Sequence, residues 1–357
     1  RREQERAGLR PILEENQGRI TAVADFCDFK KILSYRSVWM ALAALWVVYH
    51  HISLTPPCAF LQVLKSCGAG GVDIFVFASG LGCYHSLKKT PDTLIFIKKR
   101  LIKIVPAYYL CVTPWVIYDG LRLGTTVQGV VATYLGVDSL FGLGLQTLWY
   151  VNGLVVYYIL VLFFVPLCLR GNFKTKLLGF CFCILLTVPF LGDTMRLMLF
   201  ARVPLLYLGV CAADYGSRYP TLTKRTVLAL LSAMAAGIAI LLLCYYRCHE
   251  YLYPYGLLWW PFILIVPGLC LLLSWLSMLV ECVAPIVIRF LRYIGGCTLE
   301  IYVVHMFVFH AARRAMDSGI FYGTDKRWLL ITAASFLVAF LASAAASRIS
   351  KFLAGKL

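Results

Sequence analysis

What most constrains this chain is the recurrence, from residue 37 onward, of apolar runs long enough to cross a membrane, separated by short polar links. A hydrocarbon core about 30 Å thick is crossed by roughly 20 helical residues, and every backbone polar group in it must be satisfied internally. The spacing predicts ten spanning helices, at 37–54, 70–87, 103–119, 148–169, 177–191, 197–215, 226–244, 256–280, 293–311 and 328–348. The alternating pattern of a transmembrane barrel is absent. With 61% of its residues hydrophobic and 14% charged, the chain lies far from the usual balance of a soluble domain. The expected fold class is an all-α polytopic bundle of about ten transmembrane helices. The segment 120–146 is Gly-rich and only moderately apolar, and is expected to be a loop carrying an interfacial or re-entrant helix.

The formal net charge of +17 comes from 34 Lys and Arg against 17 Asp and Glu. With the N-terminus placed in the cytoplasm, most of those cations fall before Arg36 or in the alternate links 88–103, 170–176, 216–225, 281–292 and 348–357. The positive-inside rule then puts both termini on the cytoplasmic side, and attraction to anionic lipid is the plain account of the rest. A nucleic-acid partner is not indicated, because the charge is spread by membrane side and not gathered on one patch. Three regions follow: a polar cytoplasmic segment 1–35 with no function assigned, a transmembrane domain 36–350, and a cytoplasmic tail 351–357. The chain opens on Arg1 instead of Met, as a trimmed or partial sequence would. No cleavable signal sequence is evident, and the two halves show no internal repeat.

Fourteen cysteines are scattered through the spans, as at Cys181, Cys183 and Cys270, without a repeated CxxC, so no metal site is expected. Cys58 with Cys67, and Cys244 with Cys248, are close enough in sequence to bridge, although the spacing requires neither.

Ionisable residues inside spans are costly and point toward function. In "ALWVVYHHISL", His51 lies about 14 residues into the first span, roughly 20 Å along its axis, toward the outer face. The second span returns from that side as "GGVDIFVFASG", with Asp73 one turn in, so Asp73 and His51 are expected at one depth. A carboxylate there can fix the tautomer of an imidazole that acts as a general base on a hydroxyl. Equally, Asp73 can sit at a helix N-terminus stabilised by the dipole while His51 snorkels. The stretch 86–109 carries Lys98, Lys99, Arg100 and Lys103, suited either to a polyphosphate or to setting topology. Glu300 and His305 lie in the ninth span, about 140° apart around a helix, and Arg202 lies near the outer end of the sixth.

An ordered series of segments resembles the acyltransferase-3 family of membrane proteins. It comprises "WMALAALWVVYHH", "GGVDIFVFASGLG", "FIKKRLIKIVPAYY", "LWYVNGLVVYYIL", "RVPLLYLG" and "YIGGCTLEIYVVH". The resemblance implies a bundle of about ten helices, an essential histidine in the first span, and an acyl-CoA donor bound from the cytoplasm near the basic segment. In that pattern the histidine follows a first-span Arg or Met by eleven positions; counting from Met40 selects His51 over His50. Met40 stands where Arg is common, with Arg36 one turn earlier, and Lys103 stands where a second Arg is usual. Asp73, Ser79, Arg100, Trp149, Arg202, Tyr302 and His305 are carried over as matched positions.

The resulting expectation is a multi-pass enzyme of a bacterial cytoplasmic (plasma) membrane. It moves an acyl group, acetyl by preference, from acyl-CoA to a hydroxyl of an envelope glycan or lipid-linked sugar, without a metal. His51, oriented by Asp73, is the expected base, with an acyl-histidine intermediate as the competing mechanism. Lys98, Lys99, Arg100 and Lys103 would hold the donor phosphates. Ser79, Trp149, Arg202, Tyr302 and His305 would contact substrate. The rival is a proton-coupled secondary transporter with His51, Asp73, Glu300 and His305 as its relay; a member of the fold that senses or scaffolds is the third possibility.

Overall fold

The computed structural model describes residues 26–319 and 324–355, so most of the N-terminal segment and the last two residues of the tail lie outside it. Among the described residues the architecture is helical, and the β pairing is an isolated bridge between Asp28 and Thr221. Helix α1 (Phe29–Ser34) is followed by α2 (Arg36–His51), α3 (Ala59–Ser66), α4 (Gly70–Lys89) and α5 (Thr93–Leu123). Two short helices, α6 (Val127–Leu135) and α7 (Asp138–Phe141), precede α8 (Trp149–Arg170), α9 (Phe173–Leu185), α10 (Thr194–Phe200) and α11 (Val203–Arg218). The chain continues through α12 (Lys224–Arg247), α13 (Phe262–Val283), α14 (Pro285–Gly296), α15 (Thr298–Asp317) and α16 (Asp325–Gly355).

Among the described residues, eight helices are long and apolar enough to cross a membrane, or nine if α14 and α15, bent by 72° at their junction, form one broken span. The ten expected spans differ from this at the first. The run 37–54 forms α2, whose 16 residues reach roughly 24 Å, short of a roughly 30 Å hydrocarbon core. Pro56 and Pro57, shortly after its end, suit a chain that cannot continue the helix. The third span also begins earlier than expected. Asp92 caps α5, accepting from the Ile95 N–H at 2.9 Å, so the basic stretch 98–103 lies on a helix and not in a link. The segment expected as a loop with an interfacial or re-entrant helix folds as α6 and α7, each closed by a glycine with positive φ, Gly136 at 65° and Gly142 at 68°.

Helix α4 is apolar nearly all round and almost wholly buried, as such a helix must be in a bundle. It packs on α2, α8 and α11. Hydrocarbon offers no hydrophobic drive for helix association, so close backbone approach has to supply it. A Cβ on Gly71 would lie 2.5 Å from the Ala43 carbonyl of α2, one on Gly80 would lie 2.2 Å from the Leu206 carbonyl of α11, and one on Gly209 would lie 2.3 Å from the Phe77 carbonyl. On the other side of α2, Gly295 of α14 is held as tightly against the Ser37 carbonyl, 2.0 Å from an added Cβ. All the described cysteines are free, including Cys58, Cys67, Cys244 and Cys248.

Two predictions follow from this packing. Replacing Gly80 or Gly209 by Val should push α4 and α11 apart and destabilise by about 1–3 kcal/mol or more, read as a lower Tm in detergent. Gly120→Ala, where a Cβ meets nothing within 4 Å, should leave Tm unchanged or slightly raised. The second concerns Asp138, 0% exposed at the start of α7 and outside the crossing helices. Burial pushes its carboxyl up from 3.8 to about 6, so the folded state holds the proton over a pH range in which the unfolded state releases it. Its contribution to stability therefore falls as pH rises from about 4 to 6 and is flat above. Asp138→Asn should abolish that slope and raise stability at neutral pH by up to about 3 kcal/mol, measured by thermal unfolding across pH.

Candidate active site

His51 closes α2, and its Nδ1 lies 2.8 Å from the Val47 carbonyl one turn back. A carbonyl oxygen only accepts, so Nδ1 carries the proton and Nε2 keeps the lone pair. His305, in the middle of α15 and 1% exposed, repeats the arrangement with Nδ1 at 2.7 Å from the Ile301 carbonyl. Their ring centroids are 5.4 Å apart. His51 lines a cavity of about 50 Å³ with Trp115, Thr147, Phe309, His310 and Arg313. His310 and Arg313 also line a wider vestibule of about 600 Å³, with Arg314 and Asp317, so His51 stands one layer below an open surface. Arg313 donates to the His51 main-chain carbonyl and Arg314 donates to His310 Nε2 at 2.9 Å.

His50 faces elsewhere. Its Nδ1 is 2.8 Å from the Lys65 carbonyl of α3, and its Cβ would lie 2.6 Å from a Cβ added to Gly68. Adjacent helical residues point about 100° apart, which sends one imidazole into packing and the other into the cavity.

A second cavity, of about 150 Å³, lies between the middle of α4 and the first half of α5. Arg36 and Met40 of α2, Ser79 and Gly82 of α4, and Arg100 and Lys103 of α5 line it, with Tyr150 of α8 and Glu300 of α15. Arg100 Nη2 donates to the Gly82 carbonyl at 3.4 Å, and its guanidinium sits 5.2 Å above the Phe96 ring and 5.6 Å above the Tyr158 ring. A Cβ on Gly82 would lie 2.3 Å from Arg36 Nη1, so the absence of a side chain there admits the second guanidinium. Three cations against one carboxylate leave an excess of positive charge, suited to a phosphorylated ligand.

The two cavities share no lining residue. Between them stands a file of rings: Tyr150 and Tyr302 with centroids 5.5 Å apart, Tyr302 and His305 at 5.9 Å, then His305 and His51 at 5.4 Å. The Tyr302 hydroxyl donates to the Thr147 carbonyl at 3.1 Å.

The expected pairing of Asp73 with His51 is corrected. Asp73 Oδ1 lies 3.2 Å from Arg202 Nε, with the side chains 2% and 0% exposed. Arg202 Nη1 donates to the Met198 carbonyl, and its guanidinium carbon sits 4.6 Å from the Trp149 ring centre and 5.3 Å from that of Trp259. A buried carboxylate takes the strongest cation within reach, and the cation of α2, Arg36, is turned to the cationic cavity. Asp73 thus pairs with Arg202 beside Trp149 and not with His51, and the tautomer of His51 is set by its own helix. Lys98 and Lys99 are exposed and absent from the cavity lining. Ser79 lines the cationic cavity, while Tyr302 and His305 lie on the file of rings. Glu300 lies beside Lys103 and away from the histidines, which disperses the members of the transporter relay.

Residues missed by the sequence reading are Tyr150, which closes the cationic cavity, and Trp115, His310 and Arg313, which surround His51. Arg313 lay beyond the expected end at 311, which α15 passes by six residues, whereas His310 lay inside the expected span without a partner in sequence to single it out.

Comparison with curated proteins and with solved structures finds no match. A family model described as an acyltransferase domain, of the acyltransferase-3 type, matches residues 40–348. That stretch holds His51, Arg100 and the file of rings between them, and the chain belongs to this acyltransferase family.

Proposed function

We propose that this protein moves an acyl group, acetyl by preference, from cytoplasmic acyl-CoA to a hydroxyl of an envelope glycan or lipid-linked sugar on the other side of a bacterial plasma membrane. The observation that carries the reading is the His51 tautomer: Nδ1–H held by Val47 leaves a basic Nε2 in a cavity next to an open vestibule. The end of the bundle that holds Arg36, Arg100 and Lys103 faces the cytoplasm in this reading, as the distribution of Lys and Arg favours. Those three cations grip the phosphates of the donor, and its pantetheine arm passes Tyr150 and Tyr302, whose rings turn aside, to bring the thioester to the histidines.

The acceptor hydroxyl enters from the vestibule. His51 Nε2 takes its proton as the oxygen attacks the thioester carbonyl; the tetrahedral intermediate collapses, the C–S bond breaks, and the imidazolium returns the proton to the departing thiolate. His305, its Nδ1 already committed to Ile301, flanks this exchange. A carbonyl partner on Nδ1 fixes the ring without adding a negative charge beside it, so the base works from the neutral imidazole.

The assay is purified protein in lipid with labelled acetyl-CoA and a panel of envelope glycans. His51→Ala should lower transfer by at least about 100-fold, while His50→Ala retains it, and the wild-type rate should fall on acidification as the imidazole takes up a proton; a rate that does not fall at any acid pH at which the protein stays folded would count against a titrating base. Arg100→Ala should raise the KM for the donor about tenfold or more, since a charge-assisted hydrogen bond contributes roughly 1.5–3 kcal/mol. Lys98→Ala and Lys99→Ala should change that KM by less than about twofold.

A further inference from the structure

A third cavity, the largest of those described at about 730 Å³, lies on the opposite face of α4 from the cationic one. Phe75, Ala78, Ser79 and Gly82 face the cationic cavity, whereas Phe77 and Leu81 face this one, roughly 140° around the helix. Its floor is α11, through Leu208, Cys211, Ala212 and Tyr215. One wall is α9 and the other is α12 with α13. Helix α9 packs on α8 and α11, while α12 packs on α13, so α9 and α12 stand apart with the groove between them. Both are peripheral helices, with 11% of each apolar stretch buried in the protein; the groove therefore opens sideways, toward lipid.

Its lining is divided by position. Phe180, Leu230, Ala233, Leu264 and Leu271 line its length, and the charged lining residues Lys176, Asp214 and Arg218 gather at one end, where α9 begins and α11 ends. Lys176 Nζ pairs with Asp214, and Arg218 Nε lies 3.0 Å from Asp214 Oδ2. Asp214 also accepts from the Tyr84 hydroxyl at 2.9 Å. Two cations thus share one buried carboxylate. Around them the links 170–176 and 216–225 hold Arg170, Lys174, Lys176, Arg218, Lys224 and Arg225, with no Asp or Glu. An apolar cavity of this size destabilises in proportion to its volume when empty, and water without polar partners does not fill it. Its volume lies within the usual range for a ligand pocket.

We infer that this groove is a binding site for one anionic phospholipid, its hydrocarbon chains laid along α11 between α9 and α12 and its headgroup phosphate against Lys176 and Arg218. The polar end matches the charge of the phosphate, and the sideways opening lets a lipid enter from the bilayer without crossing the protein. The inference is independent of the proposed chemistry at His51, because the groove and the His51 cavity share no residue.

The test uses the full chain in phosphatidylethanolamine vesicles doped with phosphatidylglycerol whose acyl chain bears a photoreactive diazirine, with the same chain on phosphatidylcholine as control. Labelled peptides are then mapped. The phosphatidylglycerol probe should label the segments around 208–215, 230–233 and 263–271 several-fold above other lipid-facing segments, and the phosphatidylcholine probe should not. Ala212→Phe, which fills the groove, should remove that enrichment, and Arg218→Gln should reduce the preference for phosphatidylglycerol, while His51→Ala labels as wild type. Uniform labelling of wild type, equal labelling by both headgroups, or enrichment that survives Ala212→Phe would overturn the assignment. The wild-type maps decide the question even if a variant fails to fold.

Discussion

Everything in this bundle depends on how closely α4 can approach its neighbours. Lipid tails are as apolar as leucine, so burying leucine between helices gains little, and packing contacts have to hold the bundle together. Gly71 sets α4 against the backbone of α2, and Gly80 with Gly209 sets it against that of α11. With both neighbours in place, one face of α4 is left to the cationic cavity and another to the lateral groove. Its first turn is also delivered to the Arg202 guanidinium. The same helix thus separates three features of different chemistry, and a change of packing at any of these glycines would reach all of them.

The buried ion pair and the histidines illustrate two ways of keeping polar groups in an apolar bundle. Asp73 and Arg202 neutralise one another between Trp149 and Trp259, and removing either partner would strand the other as a buried charge. The histidines need no counter-charge. Each satisfies Nδ1 on the carbonyl four residues earlier, a bond available on any helix, and remains neutral with its other nitrogen available. Asp73 is thus held by Arg202, while His51 keeps a lone pair on Nε2.

Much of this was legible in the chain before folding. Apolar runs of spanning length announced the helices, because a backbone in hydrocarbon has few alternatives. His51 was separable from His50 by its register after Met40, and the structure sends His50 onto α3 and His51 into the cavity. The basic stretch was visible as well, but not which of its cations line the cavity: Arg100 and Lys103 do, and Lys98 and Lys99 do not, although Lys99 lies one turn before Lys103 on the same helix, so the packing around α5 decides it. The expected Asp73–His51 pair was wrong because depth in the membrane is a single coordinate. Two residues at one depth can still lie on different sides of a bundle.

The sequence alone determined that the protein is a helical membrane protein, which depends on hydropathy and periodicity, and its ordered motifs resemble one acyltransferase family, whose pattern favours one imidazole of the two. Tertiary structure decided which charges meet, which residues line each cavity, that Tyr150 and Tyr302 stand between the cationic cavity and His51, and that α2 is too short to cross alone. Those outcomes depend on how helices rotate and tilt against one another, and that is fixed by contacts between residues far apart in the chain.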